Sequence, residues 1–211
     1  MTHALSSLGF KTRVLPVIVI TDAAQAVPMA HALLEGGIDA MEITLRHPAG
    51  LPAITEIARH VPQMKVGAGT VLNAADMARV HDAGATFALS PGLTDALAQA
   101  ARVRNMPFVP GVMTPSEIML ARDQGLRLVK LFPAAQIGGV SMLKALAGPL
   151  GEMQFCPTGG ITPENMLEFL KQPNVAMVGG SWLTPPALVA NGDWAAITRL
   201  AREASAASPS R

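Results

Sequence analysis

Met41-Glu42-Ile43-Thr44-Leu45-Arg46 alternates apolar and polar residues without a break. Side chains along a strand point to opposite faces with a period of two, so Glu42, Thr44 and Arg46 share one face and Met41, Ile43 and Leu45 the other. The apolar face needs a covering layer, and the charged face needs an opening onto something other than a packed core. A sheet rolled into a barrel, with helices outside and a shared lumen inside, satisfies both demands.

The rest of the chain has the matching rhythm. Short apolar or β-branched runs occur at Val14 to Ile20, Ala40 to Arg46, Lys65 to Val71, Thr86 to Ser90, Pro107 to Gly111, Leu128 to Phe132, Gln154 to Thr158 and Val175 to Gly179. Between them lie stretches of helical period, such as Met29, Leu33, Leu34 and Ile54, Ile57, Ala58. Gly36-Gly37, Gly84, Gly125 and Gly148 suit helix C-caps, while Asp95, Thr114-Pro115-Ser116-Glu117 and Thr162-Pro163-Glu164-Asn165 suit helix starts. Eight strand–helix units with no linker predict one α/β domain over 1–211, a (β/α)₈ TIM barrel spanning about 14–204. A lead-in segment precedes it, and the Ser/Ala/Pro tail after Ala204 is expected to be disordered. The rival, a doubly wound open sheet, would want a glycine-rich turn after its first strand, and Thr21-Asp22-Ala23-Ala24 is not one.

Composition narrows the function. Half of the 211 residues are hydrophobic and mean hydropathy is +0.34, which fits a two-layer core together with a buried subunit interface. Net charge is +1 and Lys and Arg are dispersed, so no nucleic-acid footprint is present. The longest apolar runs fall well short of the roughly 20 residues of a membrane span. Val14 to Ile20 after Lys11 and Arg13 mimics a signal peptide, but Pro16 and the following Asp22 argue for a first strand. A single cysteine, Cys156, excludes an internal disulfide and fits a reducing, cytoplasmic setting; it reads as a small buried hydrophobe. The five histidines are scattered without ligand spacing, so no metal site is expected, and the twelve methionines read as core filler.

Lys130 is out of place in this pattern. It lies inside the apolar run Leu128-Val129-Lys130-Leu131-Phe132-Pro133, where burial penalises the ammonium and favours a neutral, nucleophilic amine. Such a lysine is suited to forming a Schiff base. The plainer alternative is an edge-strand lysine whose stem packs on apolar neighbours while its head reaches water. Strand parity decides between them. It aims Lys130 and Phe132, Glu42 and Arg46, and Cys156 and Thr158 into one lumen, with Arg46, Thr70 and Thr158 near the C-terminal strand ends where barrel chemistry gathers. Thr158-Gly159-Gly160-Ile161 closes the seventh run and Gly179-Gly180-Ser181 the eighth, the two strand ends where barrels hold phosphate on backbone N–H groups.

Met41 to Arg46, Gly67-Ala68-Gly69-Thr70-Val71-Leu72, Ser90-Pro91-Gly92, Lys130-Leu131-Phe132-Pro133-Ala134, Cys156 to Ile161 and Gly179-Gly180-Ser181-Trp182-Leu183, in this order, resemble the class I 2-keto-3-deoxy-6-phosphogluconate (KDPG) and 2-keto-4-hydroxyglutarate (KHG) aldolases. The resemblance implies that Lys130 forms an imine with the substrate's C2 carbonyl and that Glu42 transfers protons. It implies that Arg46 and Thr70 bind the pyruvate-derived carboxylate, Phe132 packs on the imine and Thr158 meets a substrate hydroxyl. Gly159, Gly160, Gly179, Gly180 and Ser181 would hold the phosphate. It further implies a homotrimer with no cofactor, cleaving KDPG to pyruvate and glyceraldehyde 3-phosphate and KHG to pyruvate and glyoxylate. Ala135 departs from family members with glutamate at that place. The related phosphogalactonate aldolases tend to lack counterparts of Arg46 and Thr158, so their presence favours the gluconate epimer. Three alternatives stay open at this point: the galactonate activity, a phosphosugar isomerase or epimerase with Glu42 as base and no imine, and a non-catalytic phosphosugar-binding barrel.

Overall fold

The computed structural model describes residues 8–208. Its strands are β1 (Val14–Ile18), β2 (Ala40–Thr44), β3 (Lys65–Gly69), β4 (Phe87–Leu89), β5 (Phe108–Val109), β6 (Gly111–Val112), β7 (Leu128–Leu131), β8 (Gln154–Pro157) and β9 (Val178–Gly180). All pairings are parallel, in a six-stranded sheet of order β5-β4-β3-β2-β1-β9 and a three-stranded sheet of order β6-β7-β8. The expected fifth strand is thus divided at Pro110, which has no N–H for the ladder but accepts a 2.8 Å hydrogen bond from the Lys130 amide through its carbonyl. The sheets also touch at β8 and β9, through single bridges Phe155↔Val175 and Thr158↔Gly179. The result is a curled, all-parallel α/β arrangement.

The helices follow the strands in turn: α1 (Ala26–Glu35), α2 (Gly50–His60), α3 (Ala74–Asp82), α4 (Asp95–Val103), α5 (Pro115–Asp123), α6 (Gly139–Ala147), α7 (Met166–Leu170), α8 (Pro186–Ala190) and α9 (Trp194–Ala207). Their inner faces pack Met29, Leu33, Ile54, Ile57, Met77, Leu143 and Ile197 against the outward strand residues Ile18, Ile43, Ala68, Val129 and Phe155. Burial of this layer is the main favourable contribution to folding.

Three local expectations change. The α4 cap is Thr94, whose hydroxyl accepts from Leu97 N, and Asp95 is the first helical residue. Thr162 does not open a helix; Asn165 Oδ1 accepts from its amide and α7 begins only at Met166. The last helix continues through Ala207, because Thr198 and Ser208 sit buried and their hydroxyls bond Ala32 O and Ala204 O. The rest of the proposed tail, like residues 1–7 of the lead-in, lies outside the described residues. The start of α5 matches its expectation: Thr114 and Glu117 form a reciprocal capping box with Pro115 at the first turn.

Inside the curl, Leu15, Ala40, Phe87, Leu89, Val109, Leu128, Cys156, Ala176 and Met177 form a second apolar cluster. Phe10 joins it edge-on to Phe87, with centroids 4.9 Å apart. The lead-in is held there by Asp39, which accepts from the Lys11 and Thr12 amides at 3.0–3.2 Å. Buried Arg13 extends the clamp by donating to the carbonyls of Leu170, Val175 and Ala176 at 2.9–3.1 Å. Among the described residues the N-terminal end of the lumen is therefore filled, and the cleft lies at the opposite end.

Candidate active site

β2 and β7 carry the central pair. Their parity turns Glu42 and Lys130 into the lumen one layer above the apolar cluster, where they are 1 % and 4 % exposed. Lys130 Nζ donates to Glu42 Oε1 at 3.1 Å. Lys130 is thus no snorkelling edge residue, and each buried charge offsets the desolvation cost of the other. Such a pair is a poor source of net stability. The second carboxylate oxygen, Oε2, is buried with no hydrogen-bond partner among the described residues. One oxygen is committed to the amine and the other is open to a proton or a substrate hydroxyl. The Phe132 ring lies 5.5 Å from Nζ, adding an apolar wall beside the amine.

Phe132 also lines a cleft of about 590 Å³, together with Arg46, Thr158, Gly159, Gly160, Gly180 and Ser181 among others. Arg46 stands just beyond β2, in a turn, exposed to solvent at the rim. Its Nε donates to Thr70 Oγ1 at 3.4 Å, which brings Thr70 to the same rim. Thr70 has φ +59°, a left-handed conformation that costs a non-glycine residue about 1–3 kcal/mol. Strain of that kind, where β3 meets the cleft, is what a ligand-binding turn characteristically stores. Thr158 lines the cleft although it is buried; its hydroxyl donates to Cys156 O at 3.3 Å.

Gly159 and Gly160 have φ of +96° and +76°, so the backbone after β8 turns through conformations that side chains resist. Gly179 lies under Thr158 through their bridge, while Gly180 and Ser181 reach the lining. Ala135 sits on the same side, in a 3-10 turn next to Gly160. Among the residues proposed from sequence, Gly179 therefore supports the cleft from beneath, and Thr70 joins it through Arg46.

Cys156 belongs to the apolar cluster and pairs with Lys130 across the β7–β8 ladder. Burial pushes its thiol up to about 12, against smaller opposing pulls from the Thr158 hydroxyl and the Lys130 charge. It stays a protonated hydrophobe at neutral pH. His47 bonds locally, accepting from the Ala49 amide at 3.2 Å, and takes no part in the lining. Sequence reasoning missed Gln25 and Thr184, which line the cleft from the loops after β1 and β9. The clue available was position alone, since both follow strands on the side where every other candidate gathers.

The family model for KDPG and KHG aldolases matches residues 6–200. The chain belongs to this family. It is 50 % identical over 191 residues to the KHG/KDPG aldolase of Escherichia coli K12, covering 90 % of each protein. The KDPG aldolase of Legionella pneumophila, solved with pyruvate captured at low pH as a covalent carbinolamine intermediate, superposes with a TM-score of 0.90 at 43 % identity, covering 92 % of this chain and 95 % of that one. The Zymomonas mobilis ZM4 KDPG aldolase, solved with 3-phosphoglycerate, gives a TM-score of 0.90 at 44 % identity, with coverage of 98 % and 97 %.

Proposed function

We propose that this protein is a class I aldolase that cleaves KDPG to pyruvate and glyceraldehyde 3-phosphate, and KHG to pyruvate and glyoxylate. The observation that carries the reading is the 3.1 Å contact between buried Lys130 and Glu42, with Phe132, 5.5 Å from Nζ, joining the pair to a cleft with a glycine-rich rim. Lys130 passes a proton to Glu42, and the neutral Nζ attacks the C2 carbonyl carbon; the carbinolamine oxygen takes up that proton and leaves as water, giving a protonated imine. Glu42 takes the C4 hydroxyl proton as the C3–C4 bond breaks; the electron pair moves into the imine to give an enamine, and the aldehyde departs. The carboxyl then returns its proton to C3, and water releases pyruvate from the lysine. Arg46, with Thr70, would hold the pyruvate-derived carboxylate, and Phe132 would cover the imine. Thr158 would meet a substrate hydroxyl, and Gly159, Gly160, Gly179, Gly180 and Ser181 would cradle the phosphate.

The gluconate epimer is favoured over the galactonate one by Arg46 and Thr158; the isomerase reading reduces the buried amine to an electrostatic clamp, and the binding reading gives the Glu42, Arg46 and Lys130 set no chemistry. The row of strands also supports a closed barrel of eight, with β5 and β6 as one strand interrupted at Pro110 and the Phe155 and Thr158 bridges joining β8 to β9. A homotrimer is supported by exposed apolar side chains on consecutive units, Leu72, Val103, Met113 and Met119. A cytoplasmic setting suits the free thiol of Cys156. No helix among the described residues is long and apolar enough to cross a membrane.

The activity is tested by coupling pyruvate release to lactate dehydrogenase. Equimolar pyruvate and glyceraldehyde 3-phosphate from KDPG is the expected result; isomerised or unchanged KDPG would refute the proposal.

A further inference from the structure

Gly67 and Gly69 both face the lumen from β3, and neither has a positive φ, so backbone conformation does not demand glycine at either place. What a Cβ would meet differs sharply between them. At Gly67 it would come within 2.5 Å of the Phe87 ring, a packing conflict inside the apolar cluster. At Gly69 the three nearest heavy atoms all belong to Glu42: Cγ at 2.7 Å, Cδ at 2.6 Å and Oε1 closer still.

Little else there can give way. Gly69 is paired with Thr44 in the β2–β3 ladder, and its carbonyl accepts from the Leu45 amide at 2.9 Å. A methyl group at this position would therefore displace the Glu42 side chain, not the strand. The atom it would strike hardest is Oε1, the oxygen on which Lys130 Nζ rests.

We propose that Gly69 is a positioning residue for proton transfer: the space left by its missing side chain is what allows the Glu42 carboxylate to lie against Lys130. The proposal rests on the reading of Lys130 as the imine-forming group and Glu42 as the proton carrier. A Gly69→Ala substitution would leave the amine able to form an imine but shift the carboxylate away from C3. Misplacement of about 1 Å is enough to cost roughly 10²-fold in rate.

The test uses wild type, Gly69→Ala, Glu42→Asp and the double variant. Two quantities are measured with pyruvate: the borohydride-trapped adduct on Lys130 at saturating pyruvate, and the rate of deuterium uptake from D₂O into the pyruvate methyl group. In that exchange a C3 proton passes to the Glu42 carboxylate, its electron pair enters the protonated imine, and a deuteron returns to C3. Gly69→Ala is expected to keep the adduct while slowing exchange about 10²-fold. In the Glu42→Asp background, where the shorter side chain vacates the contested space, adding Gly69→Ala should change exchange by less than about 3-fold, since sites that share the clash are non-additive. Equal losses in both backgrounds would overturn the proposal. Absence of the adduct in wild type would instead overturn the imine reading beneath it. Should Gly69→Ala fail to fold, the thermal midpoint decides. The double variant should melt within about 2 °C of Glu42→Asp, and a larger drop would show that the methyl group strikes something other than Glu42.

Discussion

The lumen divides into two halves built from the same strands. Toward the N-terminal strand ends, Leu15, Phe87, Leu128 and Met177 cluster with Phe10, and the Lys11 and Thr12 amides and the Arg13 guanidinium are held by Asp39 and by backbone carbonyls. Toward the C-terminal ends, the next inward residues are Glu42, Lys130 and Thr158, with glycines taking the place of large side chains. A single residue of β7, Val129, separates Leu128, which fills space, from Lys130, which carries charge. The contrast shows how a curled parallel sheet keeps stability and charge apart without separate domains: the filled end offsets the entropic cost of ordering, and the other end is free to hold strained or charged groups.

Substitutions at the two halves should therefore separate activity from stability. Lys130→Met should drive aldol cleavage below detection in the coupled assay. It should also lower unfolding stability by about 3–5 kcal/mol, because Glu42 would lose its partner while buried. Retained turnover would remove Lys130 from the chemistry. Phe87→Ala, in the closed half, should cost a similar 3–5 kcal/mol in urea unfolding, through lost burial and a residual cavity. Its folded fraction should keep near-normal kcat; a large kcat loss would dissolve the distinction between the halves.

Smaller effects follow at the rim and the surface. Arg46→Ala should raise KM for pyruvate-containing substrates by roughly 10- to 100-fold, the loss of about 1.5–3 kcal/mol from a charged hydrogen bond. Because Arg46 is exposed, the melting temperature should not change. Unaltered KM would exclude it from the carboxylate site. Gly67→Ala should lower stability by about 1–3 kcal/mol through overpacking of Phe87, with little effect on exchange into pyruvate, in contrast to Gly69→Ala.

The smallest effect lies far from both halves. Partial burial raises the Glu117 carboxyl, but hydrogen bonds from the Met113 and Thr114 amides and the Thr114 hydroxyl outweigh it and hold it below its ordinary value. A carboxyl lowered on folding contributes stability that is present above its unfolded value of about 4.3 and disappears as pH falls through the native one. Glu117→Gln should thus cost about 1 kcal/mol at pH 7, and the gap from wild type should close in acid. A gap independent of pH would mean that the capping box owes nothing to charge.

Much of this was legible in the sequence because alternation is a strong constraint. The pattern Met41 to Arg46 fixed which side chains enter the lumen, and Lys130 stood out as the one lysine inside an apolar run. Strand ends were harder to read. β1, β2 and β3 each stop two residues before their apolar runs do, since Ile20 and Val71 bury themselves from irregular segments as readily as from strands, and Leu45 packs half-buried from a turn. Pro110 divided the fifth strand through its missing N–H, although the run around it reads as continuous. Three features left no trace in local pattern: the Phe10 plug, the buried Arg13 clamp and the clearance at Gly69. Each depends on a partner 20 or more residues away in the chain, Phe87, Ala176 and Glu42 respectively. Spacing within a segment carries no record of such contacts.

The central claim is that Lys130, and no other lysine, is the covalent partner of the substrate. Incubation with pyruvate and borohydride, followed by intact and peptide mass spectrometry, tests it directly. The account predicts one reduced pyruvyl adduct per chain, on Lys130. An unmodified folded protein, or an adduct on Lys11, Lys65, Lys144 or Lys171 instead, would contradict it.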